Sequence, residues 1–156
     1  SVALAIWLDS RVLIVDWLDA RALVAASLRI GASMPLTRSA SGRAFAALDG
    51  RPEVLAALRA ELAENARAGL RPASPAEFDG VLRATRAHGI ARVTGDLVAG
   101  IDSLAAPVHG PAGTLAMVVA AIGPSRGFDV TWNGEVACRL RDWAREIGSW
   151  PATAPA

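Results

Sequence analysis

Apolar residues come in short blocks near both ends of the chain and at helical spacing in its middle. The stretch from Gly100 to Pro124, GIDSLAAPVHGPAGTLAMVVAAIGP, holds two apolar runs, residues 101–108 and 115–122. Both are bounded by glycine and proline and are four to eight residues long, the mark of strands rather than helices. His109-Gly110-Pro111-Ala112-Gly113-Thr114 between them predicts a reversal, and with it a central hairpin. If the turn is symmetric about Pro111 and Ala112, Ser103 lies opposite Ala120 and Ile101 opposite Ile122, and period-two alternation puts all four on one face. That face is apolar apart from a single hydroxyl. The other carries Leu104, Ala106 and Val108 against Leu115, Val119 and Ala121, so both sides need cover. Helices on one side, with a pocket or a partner subunit on the other, meet that need.

The rest of the chain arranges itself around this hairpin. Residues 2–8 (VALAIWL) and 12–18 (VLIVDWL) read as strands joined at Asp9-Ser10, with 22–28 as a third strand of a meander. A chain that opens inside a strand is expected to have had a segment upstream removed. Gly31-Ala32-Ser33-Met34-Pro35 predicts a breaker-rich loop, then a helix from near Ser39 with Ser39 or Ser41 as N-cap, closed by Asp49-Gly50. Residues 53–67 form an amphipathic helix, with Pro52 at its start and Gly69 past its end. Ser74-Pro75-Ala76-Glu77 is a capping box with proline at the first helical position, which predicts a helix over 75–87 that stops at His88-Gly89. A short strand, 90–94, leads through Gly95-Asp96 into the hairpin. Residues 134–147 predict a last helix with Val136, Leu140, Trp143, Ala144 and Ile147 on one stripe, followed by a frayed tail. The sum is one α+β domain over residues 1–156: a mixed, mostly antiparallel sheet with helices packed on it.

Composition narrows the function more by exclusion than by assertion. At 156 residues the chain suits one hydrophobic core and leaves no room for a second domain. Its longest apolar run is far too short for a bilayer and no charged-then-apolar leader opens it, so a cytoplasmic protein without membrane contact is expected. Every basic residue is arginine, the net charge is +1 and no basic block occurs. This chain alone is therefore not expected to bind duplex DNA. The single Cys138 cannot form an internal disulfide and reads as a small core residue. His88, His109 and Cys138 lie far apart with no metal-ligand spacing, and no Walker loop or GxGxxG follows a strand, so no metal and no cofactor are expected. Alternation sends Asp102 to the face opposite Ser103 and no GxSxG elbow is present, which argues against a hydrolytic enzyme. His88 reads as a helix C-terminal residue and His109 as part of the turn.

One constellation points toward binding. Ser39-Ala40-Ser41-Gly42 places unpaired backbone N–H groups, a positive helix end and small side chains at one spot, a site the size of an anion. An ordinary helix start capped by serine is the plainer alternative.

Three ordered motifs carry a resemblance. Met34-Pro35-Leu36-Thr37-Arg38-Ser39-Ala40-Ser41-Gly42-Arg43-Ala44 resembles the "LPLHATALGKA" loop and helix start of the effector-binding domain of the isocitrate-lyase-regulator (IclR) family of bacterial transcription regulators. The run from Gly100 to Val108, continued by Val118 to Pro124, resembles that family's "GVxSIAAPVFD…VAALSVSGP" hairpin, and Arg86-Ala87-His88-Gly89-Ile90-Ala91 with Gly95-Asp96 resembles "RxxGYAxxxGE". The resemblance spans the first strand to the last helix. It implies a GAF-like α+β fold, a pocket between the sheet and the loop entering the first helix, a small-molecule effector, and homodimers or homotetramers that pair DNA-binding heads. Those heads, N-terminal winged helix-turn-helix units, would precede Ser1. Carried over by motif, the ligand-binding positions are Leu36, Ala40, Ser41, Val93, Ile101, Ser103, Ala120 and Ile122. The chain departs from the family at Val93, where an acid is common, and at Ala120 and Ile122, where serines are common. These departures imply an amphipathic, carboxylate-like effector rather than a very polar one. An oligomerisation domain without an effector is the alternative.

Overall fold

The structure, a computed structural model, describes residues 1–19 and 28–150. The third strand expected over 22–28 and the tail after Trp150 fall outside the described residues, apart from Leu28. The elements run β1 (Val2–Leu8), β2 (Arg11–Leu18), β3 (Ser33–Met34), α1 (Ala40–Leu48), α2 (Pro52–Ala68), α3 (Pro75–His88), β4 (Ala91–Thr94), β5 (Ile101–His109), β6 (Leu115–Pro124) and α4 (Glu135–Ser149). The described strands form a six-stranded sheet in the order β3-β2-β1-β6-β5-β4. Every described pairing is antiparallel, so the mixed character expected from the sequence is absent among them. The predicted loop at 31–35 instead contains β3, whose two residues pair with Val12 and Leu13.

The central hairpin forms, but its register differs from the symmetric expectation by two residues. Ser103 pairs with Ile122, Ile101 with Pro124 and Ala105 with Ala120. Two single-residue displacements cause this. The turn is centred on Ala112 rather than between Pro111 and Ala112, since His109 pairs with Leu115, and Ala116 then bulges because Val108 pairs with Met117. A shift of one would have turned every side chain over; a shift of two leaves Ile101, Ser103, Ala120 and Ile122 on one face. Leu115 lies beyond the bulge and does change sides, joining the core under α1 rather than the cluster of Leu104, Ala106 and Val119. His109, expected in the turn, is the last residue of β5.

The two faces carry separate cores. On one, Phe45, Val54, Leu58 and Phe78 from α1, α2 and α3 bury Ala5, Val12, Ala105 and Val118. On the other, α4 covers Leu104, Ala106, Val119 and Ala121 with Ala137, Leu140 and Ala144. The buried stripe of α4 is thus centred on its alanines, while Trp143, expected within it, is 45% exposed. Cys138 is exposed and not a core residue. His88 ends α3, before the left-handed Gly89, and stacks on Trp132 with ring centroids 4.3 Å apart.

Candidate functional site

The start of α1 is fixed from three directions. Ser39, rather than Ser41, is the N-cap: its Oγ accepts from the Gly42 N–H at 2.9 Å and donates to the Pro35 carbonyl at 2.7 Å. From α2, the Glu61 carboxylate accepts from the N–H groups of Leu36 (2.7 Å) and Thr37 (2.8 Å) and from the Thr37 hydroxyl (2.6 Å). Asn65, one turn further on, donates to the Thr37 hydroxyl and to the Pro72 carbonyl. Gly42 lets loop and helix meet, since a Cβ there would lie 2.1 Å from the Pro35 carbonyl oxygen. With the loop held this way, the N–H groups of Ala40 and Ser41 face no acceptor among the described residues, and the Ser41 hydroxyl has no partner either. Yet Ala40 is only 2% and Ser41 only 5% exposed. Buried donors at a positive helix end are the physical requirement for seating an anion.

These donors open on a pocket between α1 and the sheet. Ala40, Ser41, Val93, Ile101, Ser103, Ala120 and Ile122 all line it, together with Ser39. Leu36 does not: it is 4% exposed, packs in the core on the α1 side and spends its N–H on Glu61. Val93 and Ile122 flank Ser103 as cross-strand neighbours, and the Ser103 hydroxyl has no partner among the described residues. Walls and mouth together leave about 450 Å³ empty, of which the centres of water-sized molecules reach about 30 Å³. That is room for water, and short of the roughly 150 Å³ in which a benzene-sized guest sits.

Sequence reasoning missed contributors from three parts of the chain. Trp17 enters from β2 beside Ile14, and Met34 and Leu28 from the far side. Leu97 and Val98, an apolar pair between Gly95-Asp96 and Gly100, close the pocket from the connection between β4 and β5. That connection is clipped to α1: Arg43 pairs with the Asp96 carboxylate at 2.7 Å, and Arg38 donates to the Asp96 carbonyl at 3.0 Å. Arg43 also donates to the carbonyls of Thr37 and Arg92. Burial pulls its guanidinium below its ordinary pKa and Asp96 opposes that shift. Each nitrogen of the Arg43 guanidinium has an internal partner, and no residue lining the pocket is titratable. The site therefore offers an acid neutral donors and a helix dipole, without a counter-charge.

Elsewhere, Asp102 lies on the α4 side and its carboxylate accepts from the Ser125 hydroxyl at 2.6 Å, away from Ser103. No cluster of three metal-ligating side chains occurs among the described residues. No described helix is long and apolar enough to cross a membrane.

Residues 1–149 match the family described as bacterial transcriptional regulator IclR C-terminal. Among solved structures, HmgR of Pseudomonas aeruginosa is 32% identical with a TM-score of 0.78, over 94% of this chain and 57% of that one. IclR of Thermotoga maritima is 21% identical with a TM-score of 0.75, over 94% and 59% of the two chains. The Agrobacterium tumefaciens repressor BlcR is 18% identical with a TM-score of 0.66, over 94% and 57%. The chain thus spans less than two thirds of these proteins' length. No curated protein matches it.

Proposed function

Since the chain belongs to the IclR family of bacterial transcriptional regulators, whose C-terminal domain it matches over residues 1–149, we propose that residues 1–156 are one ligand-sensing domain of such a regulator. This family is one of regulators and not of enzymes. In this reading the domain takes a small amphipathic effector with a carboxylate-like end and joins subunits into a homodimer or homotetramer in the cytoplasm. Contact with DNA falls to a winged helix-turn-helix N-terminal to it.

The observation that carries the reading is the pairing of unpartnered donors with hydrocarbon. Ala40 N–H, Ser41 N–H and the Ser41 hydroxyl sit at the helix start, the Ser103 hydroxyl lies between Val93 and Ile122, and Val93, Ile101, Ala120 and Ile122 supply only apolar contact. A compact polar keto acid would leave its second polar end unpaired against these side chains, at about 1 to 3 kcal/mol per group, or roughly tenfold to a hundredfold in affinity. An aromatic or medium-chain acid leaves nothing unpaired. Its entry requires the narrow pocket to widen, and the Leu97–Val98 connection, tied down through Asp96, is the wall with the least sheet behind it. Subunit contact is supported by the exposed Leu18, Trp143 and Trp150, which rim a groove between β1, β2 and the end of α4.

Thermal-shift and calorimetric titration with a panel of acids tests the reading. Benzoate-like or medium-chain acids are expected to raise the melting temperature by mass action, while pyruvate and glyoxylate do not. Tighter binding of a compact acid overturns the assignment of the lining. The narrowness of the pocket favours a second reading, an oligomerisation domain with no effector. Silence across the whole panel, with a stable oligomer in sedimentation at tens of micromolar, selects it.

A further inference from the structure

Trp17 reaches the pocket through an irregularity in β2. Leu4 pairs with Asp16 but Ala5 with Ile14, so Val15 is an extra residue and the alternation of β2 reverses across it. Before the bulge Val12 and Ile14 face α1; after it Trp17 takes that side, opposite Ala3. Regular alternation would have continued from Ile14 to Asp16 and turned a carboxylate toward a site built to hold an acid. The bulge replaces that carboxylate with an indole.

The indole is also spent in a telling way. Its N–H donates to the Asp19 carboxylate, so it has no donor left for the pocket and presents only its ring. Read across the strands, one row runs Trp17, Ala3, Ala120, Ala105, Ala91, and of its four methyl groups those of Ala3 and Ala120 line the pocket. Two methyl groups bordered by an aromatic face suit a planar ring better than a flexible chain, because offset or edge-to-face contact with the indole adds attraction beyond buried area.

We propose that Trp17 is the specificity-determining residue of the pocket: it selects ring-bearing acids, with the carboxylate at Ala40 and Ser41 and the ring against the indole over Ala3 and Ala120. The proposal rests on the reading of this pocket as an acid-binding site, and narrows the class of acid from amphipathic to aromatic. No charge within the lining competes for the ring, and Trp17 lies outside the set of positions marked by the family motifs.

The test compares two ring acids matched in size, phenylacetate and cyclohexylacetate, and the open-chain hexanoate, by calorimetry on the wild-type chain, Trp17→Phe and Trp17→Leu. Phenylacetate is expected to bind the wild type roughly 3- to 10-fold more tightly than cyclohexylacetate. Trp17→Phe should keep most of that ratio and Trp17→Leu should bring it to about one, with hexanoate affinity changed less than about threefold in either. Equal wild-type affinities for the two ring acids, or an undiminished ratio in Trp17→Leu, overturn the proposal while leaving the acid site standing. If Trp17→Leu does not fold, the wild-type ratio and the Trp17→Phe ratio decide alone. Absence of binding by all three acids overturns the acid site itself, and the proposal with it.

Discussion

The two faces of the sheet are made from alternate residues of the same strands, yet one is sealed and the other is not. Under α4, Leu104, Ala106, Val119 and Ala121 meet Ala137, Leu140 and Ala144, hydrocarbon against hydrocarbon. Under α1 the hydrocarbon is as plentiful, but the pocket there is bordered by the first turn of the helix, at Ala40 and Ser41. A helix side has no free backbone groups; a helix start has several. At the start of α1 those of Ala40 and Ser41 are buried without partners, and the serines at 41 and 103 add two idle hydroxyls. Burial without pairing is costly in a finished core and useful in a site that awaits a ligand. The faces differ less in composition than in the helix start that borders the pocket on one of them.

The sealed face should bear the largest loss of stability. Leu140 is 1% exposed, and Leu140→Ala is expected to lower unfolding free energy by about 2 to 5 kcal/mol in urea titration, through lost transfer and a residual cavity. Acid affinity at the folded baseline should stay unchanged. A parallel loss of affinity would mean that the faces are coupled through β5 and β6 and that the contrast is false. Gly42→Ala strikes the open face at its root: the new Cβ meets the Pro35 carbonyl oxygen at 2.1 Å, a backbone atom that cannot swing away. An expected loss of about 1 to 3 kcal/mol should come with weakened acid binding, since the shift moves the donors themselves.

The same substitution on each face sharpens the comparison. Ala106 is fully buried beneath α4, whereas Ala120 borders the pocket. Ala106→Phe forces a ring into a fully buried position and should destabilise by about 1 to 3 kcal/mol or more. Ala120→Phe enters the pocket only as the pocket widens, so its melting temperature should fall less, while calorimetry should find acid affinity reduced on the order of a hundredfold. Equal destabilisation by the two would show that the pocket is closed in solution.

How much of this was legible in the sequence follows from the range of the forces involved. The helix starts were readable because capping is local: Ser74 with Glu77, and Ser39 with Gly42, need only their neighbours. The two caps look alike in sequence and differ in use. At α3 the Glu77 carboxylate turns back to the exposed Ala73 N–H, while at α1 the donors are sunk against the sheet. The shared face of Ile101, Ser103, Ala120 and Ile122 was readable because period two tolerates a register shift of two. Leu115 and Trp17 were not, since each lies beyond a bulge that a single extra residue creates and no local residue announces. Glu61 and Asn65, which set the angle of α1, act on residues 24 to 28 positions away and leave no local pattern. Leu36 fits the motif but is turned inward by the hydrogen bond that Glu61 makes to its backbone.

The smallest expected effect is the most informative about how an acid is held. Ser41 contributes two donors to the open face, a backbone N–H that any residue retains and a hydroxyl that alanine lacks. Because that hydroxyl has no partner among the described residues, Ser41→Ala should leave the melting temperature of the free domain nearly unchanged. A net hydrogen bond is worth about 0.5 to 1.5 kcal/mol, so removing it should weaken a bound aromatic acid by roughly two- to tenfold. Isothermal titration of wild type and variant, with a melting curve of each free chain, reads both quantities. A hundredfold loss would mean that the hydroxyl and not the helix start carries the anion. A large drop in the free melting temperature would mean that the hydroxyl is paired in solution, and that the open face is sealed like its opposite.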